Sequence, residues 1–344
     1  MTVLLAKGVG CMAKFYVTED SANISISDRC IKVRYNENYC TKIPVETLES
    51  ISIFGKAQMT TQCMAECMKR GIPVSYYSRV GNYFGQLEST GHVRVERQRM
   101  QCRLYDSEFA LKLGKRIMQA KIRNQEVVLS RYWRRSNCSL TEEMKMMRIS
   151  ENKISGCSSI DQLIGYEGTA ARYYFQGLEK LVDDPFKFHG RSRRPPKDEF
   201  NSMLSLGYSI LMNEIYGKIQ SKGLNPYFGF IHRDKEKHPT LASDLMEEWR
   251  AVIVDSMVMS LANGHEILLE DFQHGTSDGA YYLTNKGMQK FIKKFDRKLC
   301  TEAKYLKYVE YQISFRRAMD LQIEQLINAM ESEDASLYQP VQIR

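Results

Sequence analysis

The stretch Glu88-Ser89-Thr90-Gly91-His92 separates two hydrophobic rhythms. Ahead of it, apolar residues alternate with period 2 at 14–18, 23–27, 30–35 and 49–54, between Glu-Asp, Ser-Asp and Asn-Glu-Asn turn sequences. Alternation of this kind belongs to strands, whose side chains point to opposite faces in turn. A helix is expected from about 60 to 69, closed by Gly71 at its C-terminal cap. A hairpin around Val80-Gly81 is expected to pair 72–77 with 82–87. Beyond the hinge, from Arg94, the period becomes 3.6 and helices are expected to run to near Met330, with 331–344 as a partly ordered tail. The expected class is α+β: a small N-terminal β-sheet domain over 1–90, then a larger all-α C-terminal domain over 91–344.

The composition of the 344 residues, 43% hydrophobic and 26% charged with 8 Pro, is that of a folded chain rather than a disordered one. No apolar run approaches the roughly 20 residues of a membrane span. The run at 3–6 is cut by Lys7 and is too short for a signal-peptide core. The 9 Cys are scattered, and the nearest pair, Cys63 and Cys67, has no zinc-site partners. They read as reduced thiols, so a cytoplasmic location is expected, with no membrane partner.

The net charge is +8. Residues 94–135 alone hold twelve basic against four acidic side chains, a surplus equal to that of the whole chain. Such a concentration suits a polyanion, most simply nucleic acid, and Arg matches phosphate geometry better than Lys. The plainer alternative is a solvated helical face.

Three places could carry chemistry. Tyr166-Glu167-Gly168 lies in a helical stretch opened by Ser159, with Gln162 three residues on as in a capping box. Gly168 beside an acid hints at close approach by another backbone or a ligand. Gly229-Phe230-Ile231-His232 ends an apolar run with an imidazole at the entrance to a polar loop. In a helix expected over 242–258, Leu241, Leu245, Trp249, Val252 and Ile253 form an apolar stripe, while Asp244, Glu247 and Glu248 share the opposite arc. Carboxylates with one His suit Mg²⁺ or Mn²⁺, although spacing alone does not choose among the acids. A fourth stretch, from Phe188 to Pro196, presents His189, Arg191, Arg193 and Arg194 ahead of the helix begun by Asp198 and Asn201; phosphate contact and an interdomain salt-bridge loop both fit it.

In order and spacing these pieces resemble the CRISPR adaptation integrase family. The likeness extends from Phe15 to the C-terminus and includes Ile53-Phe54-Gly55, Arg70-Gly71-Ile72-Pro73-Val74 and Ala120-Lys121-Ile122-Arg123-Asn124-Gln125. Its strongest parts are Tyr166-Glu167-Gly168, Arg193-Arg194-Pro195-Pro196 with Asn201, Gly229-Phe230-Ile231-His232, and Leu241-Ala242 with Asp244-Leu245-Met246-Glu247-Glu248. Trp249 stands where Phe is usual, and Ala251 where Pro is frequent. The family-like text begins after Met12, so 1–11 reads as an extension or Met12 as the working start.

The resemblance implies a metal-dependent DNA endonuclease/integrase that joins 3′-hydroxyl ends of captured DNA into a repeat array by transesterification. It implies Glu167, His232 and Glu247 as ligands of Mg²⁺ or Mn²⁺, with Asp244 and Asn201 in support. Arg123, Arg131, Arg134, Arg135, Arg193 and Arg194 would hold the DNA backbone. It further implies a homodimer made through the β domains and a partnership with the small second CRISPR adaptation protein. The rivals are a structure-specific nuclease for branched DNA and a non-catalytic DNA-clamping scaffold.

Overall fold

A computed structural model describes residues 3–6, 13–36, 39–275, 279–304, 306 and 308–343. The choice between Met1 and Met12 falls on residues outside these. The N-terminal strands are β1 (Val3–Ala6), β2 (Ala13–Val17), β3 (Asn23–Ser27), β4 (Cys30–Asn36), β5 (Tyr39–Pro44), β6 (Leu48–Phe54), β7 (Gln58–Met59), β8 (Val74–Tyr77) and β9 (Tyr83–Leu87). They form a five-stranded sheet in the order β1-β2-β6-β8-β9 and a four-stranded sheet in the order β5-β4-β3-β7. In the first sheet β2, β6 and β8 run parallel, with antiparallel β1 and β9 at the edges. Helix α1 (Thr61–Arg70) starts on Thr60, whose side chain accepts the Cys63 N–H, and stops at Gly71 with φ 67°. That left-handed turn needs glycine.

Strand alternation sorts β2 between two cores. Phe15 and Val17 face a β core with Ile24, Ile31, Val33, Ile51, Ile53 and both Cys63 and Cys67. Tyr16 faces the helical core with Phe54 and Tyr77. The five-stranded sheet is therefore covered on both sides. On its helical side, charge as well as apolar surface is buried. Lys14 pairs with Glu214, and Arg316 pairs with Asp296 and lies 3.7 Å from Glu214. Lys218 bridges Asp320 (3.0 Å) and Glu49 (3.6 Å). Burial alone would raise the Glu214 carboxyl, but Lys14, Arg316 and Lys218 outweigh it and hold it at about 2. A cleft of ≈410 Å³ runs along this boundary.

The remainder is helical: α2 (Val95–Leu104), α3 (Glu108–Trp133), α4 (Thr141–Ile154), α5 (Ile160–Leu181), α6 (Glu199–Ser221), α7 (Thr240–Met246), α8 (Ser256–Asn263), α9 (Asn285–Leu299) and α10 (Phe315–Glu331). Two ribbons interrupt it, β10 (Phe272–His274) with β11 (Tyr281–Leu283), and β12 (Glu302–Ala303) with β13 (Ile313–Ser314). Side chains of Ser107, Ser159, Asp198, Thr284 and Ser314 each accept the N–H three residues on, fixing where α3, α5, α6, α9 and α10 begin. No helix among the described residues is long and apolar enough to cross a membrane.

Two expectations are corrected. The helix expected over 242–258 is not one regular helix: α7 ends at Met246 and Arg250–Asp255 is π-helical before α8. The segment expected as a partly ordered tail is, through residue 343, packed in place. Tyr338 and Val341 are fully buried, and the segment is bonded to α3 and to the residues after α7. Tyr338 donates its hydroxyl to Glu248 Oε1 (2.7 Å), and the Val341 N–H bonds Glu248 Oε2 (2.7 Å). Asn124 donates to the Val341 carbonyl and accepts from the Ile343 N–H, both at 3.0 Å.

Candidate active site

Asp244, on α7, organises the loop that carries His232. Its Oδ2 accepts the N–H groups of Phe230 (2.6 Å) and Ile231 (3.0 Å), and its Oδ1 accepts the His232 N–H (3.1 Å). His232 Nδ1 lies 2.7 Å from the same Oδ1. With Nδ1–H given to Asp244, Nε2 is left as the lone-pair nitrogen. A Cβ on Gly229 would come within 2.7 Å of Asp244 Oδ2 and 2.8 Å of the Thr240 backbone, so only glycine lets the loop lie this close. Burial would lower the imidazole pKa, but the hydrogen bond and charge of Asp244, with Glu247, raise it above the ordinary value.

His232 Nε2 faces Glu247, 3.8 Å from Oε1. Glu167 reaches the same place from α5. Between the two glutamates lies the ammonium of Lys121, from α3, paired with Glu167 and 2.5 Å from Glu247 Oε2. Arg250 Nε is 3.0 Å from that oxygen. Burial would raise the Glu247 carboxyl, but Arg250, Lys121 and His232 hold it at about 2. Lys121 is raised likewise: burial disfavours its charge, and Glu167 with Glu247 more than restores it. The side chains of Glu247 and Lys121 are 4% and 8% exposed, Glu167 17% and His232 34%, so the site opens on the Glu167 and His232 side. Gly168, next to Glu167, is exposed, and a Cβ on it would meet nothing within 4 Å; Gly165 lies instead in a cleft with Asn152, Lys153 and Cys157 against α4. Of the two alternatives read for Gly168, no other backbone lies within 4 Å of a Cβ there, which leaves room for a ligand.

The donor set, two carboxylates and an imidazole Nε2, matches a hard divalent ion such as Mg²⁺ or Mn²⁺. The shared Lys121 ammonium shows that both glutamates can serve one cation. Among the described residues no group of three or more His, Cys, Asp or Glu side chains is placed to hold a metal ion as it stands; Lys121 holds the position between the two glutamates.

The acid ridge expected after Leu241 is not an outer face. Asp244, Glu247 and Glu248 are all buried, and Glu248 points away from His232 to the C-terminal segment. Burial raises its carboxyl to about 8 against the hydrogen bonds of Val341 and Tyr338. Asn201, fully buried, binds the arginine loop. Its Oδ1 accepts from Arg191 (2.9 Å) and the Ser192 N–H (3.1 Å), and its Nδ2 donates to the Gly190 carbonyl (3.0 Å). Arg191 and Arg250 both lie over the Tyr208 ring, at 5.4 and 5.0 Å, so Asn201 reaches the site only through Arg191. Tyr208 and Tyr174 both donate to buried Asp255.

The basic segment 94–135 is not one free stripe. Arg103 pairs with Glu333, Lys112 with Glu108 and Arg123 with Glu151, while Arg97 and Arg116 donate to backbone carbonyls. Arg131, Arg134 and Arg135, near the end of α3, are exposed, as are Arg193 and Arg194. Lys121 and Arg250 were missed as site residues: a lysine in a basic helix and an arginine after two glutamates carry no sign of burial in sequence. The one available signal was their place inside family-like text.

A family model described as CRISPR associated protein Cas1 matches residues 15–297. The chain belongs to the Cas1 family. A CRISPR-associated endonuclease Cas1 of Mycobacterium tuberculosis is 36% identical over 322 residues, covering 93% of this chain and 95% of the relative. Among solved structures, a Cas6-RT-Cas1–Cas2 complex aligns with TM-score 0.84 and 25% identity, over 99% of this chain and 37% of that longer one. A casposase bound to integration product shares the fold, with TM-score 0.80 and 22% identity over 94% of this chain and 93% of that one. The Cas1-family fold thus places β sheets first and helices after, as the two rhythms of the sequence require.

Proposed function

We propose that this chain is a divalent-metal-dependent DNA endonuclease and integrase of CRISPR adaptation. The observation that carries the reading is the convergence of Glu167, His232 and Glu247 on one partly open face, with Asp244 fixing the imidazole. Glu167 and Glu247 would hold Mg²⁺ or Mn²⁺ together with His232 Nε2. When bound, such an ion supplies Lewis acidity to a phosphoryl oxygen and charge stabilisation to the displacement. The protein's part is placement. Asp244 holds His232 in the tautomer that leaves Nε2 unprotonated, and Arg250 keeps Glu247 ionised. The open surface at Gly168, beside Glu167, leaves room for a DNA backbone. Arg131, Arg134, Arg135, Arg193 and Arg194 supply phosphate contacts that position without reading sequence. Attack by a DNA 3′-hydroxyl forms one P–O bond as another breaks, so joining needs no nucleotide cofactor; attack by water gives a nick.

The M. tuberculosis relative is named an endonuclease, one structural neighbour is a complex with Cas2 and another holds an integration product. They support DNA as substrate and Cas2 as partner, and we assign homodimer formation to the β domain. The test is a joining assay on DNA with 3′-hydroxyl ends, with and without Mg²⁺ or Mn²⁺. Glu167→Gln, His232→Ala and Glu247→Gln should each abolish joining and nicking while circular dichroism is retained. The triple variant should be little worse than any single one, because groups acting as a unit are not additive. Activity surviving all three substitutions would leave the site without a catalytic role.

A further inference from the structure

Lys121 is a cation that the chain itself places in the site. Its stem runs from α3 through buried surroundings, and its ammonium bridges Glu167 and Glu247. With Arg250 on Glu247, two carboxylates face two cationic side chains, and Asp244 is occupied by His232 and three backbone N–H groups. The two glutamates are therefore matched by two cations before any ion enters. A divalent ion held by the same carboxylates would add two positive charges beside an ammonium in a poorly screened place, where like charges repel strongly.

The two cationic side chains differ in freedom. Arg250 lies over the Tyr208 ring at 5.0 Å, and its planar head fits that seat. Lys121 ends a flexible four-carbon stem whose head can withdraw without moving the helix. We propose that Lys121 is an internal counter-cation: it occupies the position between Glu167 and Glu247 until a divalent ion displaces it. It thereby keeps the metal-free site folded and weakens the site's affinity for the ion. This rests on the reading of Glu167, His232 and Glu247 as ion ligands.

The test is Mn²⁺ titration of the full-length wild-type protein, Lys121→Gln and Lys121→Arg, followed by calorimetry and thermal unfolding. Lys121→Gln should bind Mn²⁺ about 5- to 150-fold more tightly, the usual range for coupling between two bound groups. Its metal-free melting temperature should fall, and saturating Mn²⁺ should raise it by more than it raises the wild type. Lys121→Arg, which keeps the charge, should bind no more tightly than wild type. Equal or weaker Mn²⁺ affinity in Lys121→Gln, beside measurable binding by the wild type, overturns the displacement and leaves the ligand reading intact. No Mn²⁺ binding by either the wild type or Lys121→Gln overturns both. A measurement needing no variant is NMR of lysine labelled with ¹³C at Cε: Mg²⁺ should shift the Lys121 resonance, and an unmoved resonance under saturating Mg²⁺ overturns the proposal.

Discussion

Asp244→Asn is nearly isosteric yet should be costly, and the structure says by how much. The carboxylate accepts four hydrogen bonds, two on each oxygen: Phe230 and Ile231 N–H on Oδ2, His232 N–H and Nδ1–H on Oδ1. An asparagine has one acceptor oxygen, so it can serve only one of these pairs. With the amide oxygen serving Phe230 and Ile231, its NH₂ faces His232, whose Nδ1 can change tautomer and accept from it, so the His232 backbone N–H is stranded where Asp244 is 1% exposed. At about 1–3 kcal/mol for an unsatisfied buried donor, the loss is about 1–3 kcal/mol. Urea unfolding measures that loss. Amide hydrogen exchange locates it, because protection should fall at 230–232 and hold in α5. The His232 imidazole should also titrate lower, since Asp244 is what offsets its burial. A loss below about 1 kcal/mol with unchanged protection at 230–232 would refute the role of Asp244 as organiser of the loop.

Glu248 should impose a pH slope on stability. Burial lifts its carboxyl from an ordinary 4.5 to about 8, so the folded protein keeps a proton that the unfolded chain releases in this interval. Stability is then fullest below about 4.5 and declines as pH rises to about 8. Glu248→Gln should flatten that decline in urea unfolding, and an unchanged slope would show that Glu248 does not titrate there. Charge reversal at Arg134 and Arg135 should reduce the slope of log affinity for DNA against log salt by about 0.9 for each phosphate no longer neutralised. An unaltered slope in filter-binding titrations would make this end of α3 a solvated face.

What sequence could show follows from what is local. Thr60 and Gly71 mark α1, and Ser159 and Asp198 start α5 and α6, because a cap is made by residues three positions apart. The strands at 23–27 and 49–54 alternate cleanly, whereas β5, with Tyr-Cys-Thr-Lys-Ile-Pro, and the two-residue β7 carry no comparable pattern. The arc shared by Asp244, Glu247 and Glu248 was visible, but an arc says nothing of what covers it. Glu247 meets a lysine 126 positions earlier, and Glu248 meets a backbone N–H 93 positions later. Buried charge of this kind is decided by long-range partners. Lys121 therefore reads in sequence as part of a basic face, Arg250 carries no signal of its own, and the C-terminal segment reads as a tail.

The charged boundary between the sheet and the helices limits how such chains can be recombined. A polar hinge at 88–92 looks like a natural place to exchange halves between relatives. Yet Glu214 on α6 has Lys14 from β2 as a partner, and Lys218 has Glu49 from β6. A hybrid that brings a different residue at position 14 removes the direct partner of Glu214 and leaves it to the charge of Lys218 and to Arg316, 3.7 Å away and already paired with Asp296. Removing one partner of a buried ion pair is strongly destabilising, because the remaining charge stays out of water with less to offset it. Exchange of a segment that holds none of these residues keeps the pairs, while a crossover at the hinge separates them, so positions 14, 49, 214, 218 and 316 have to be inherited as a set.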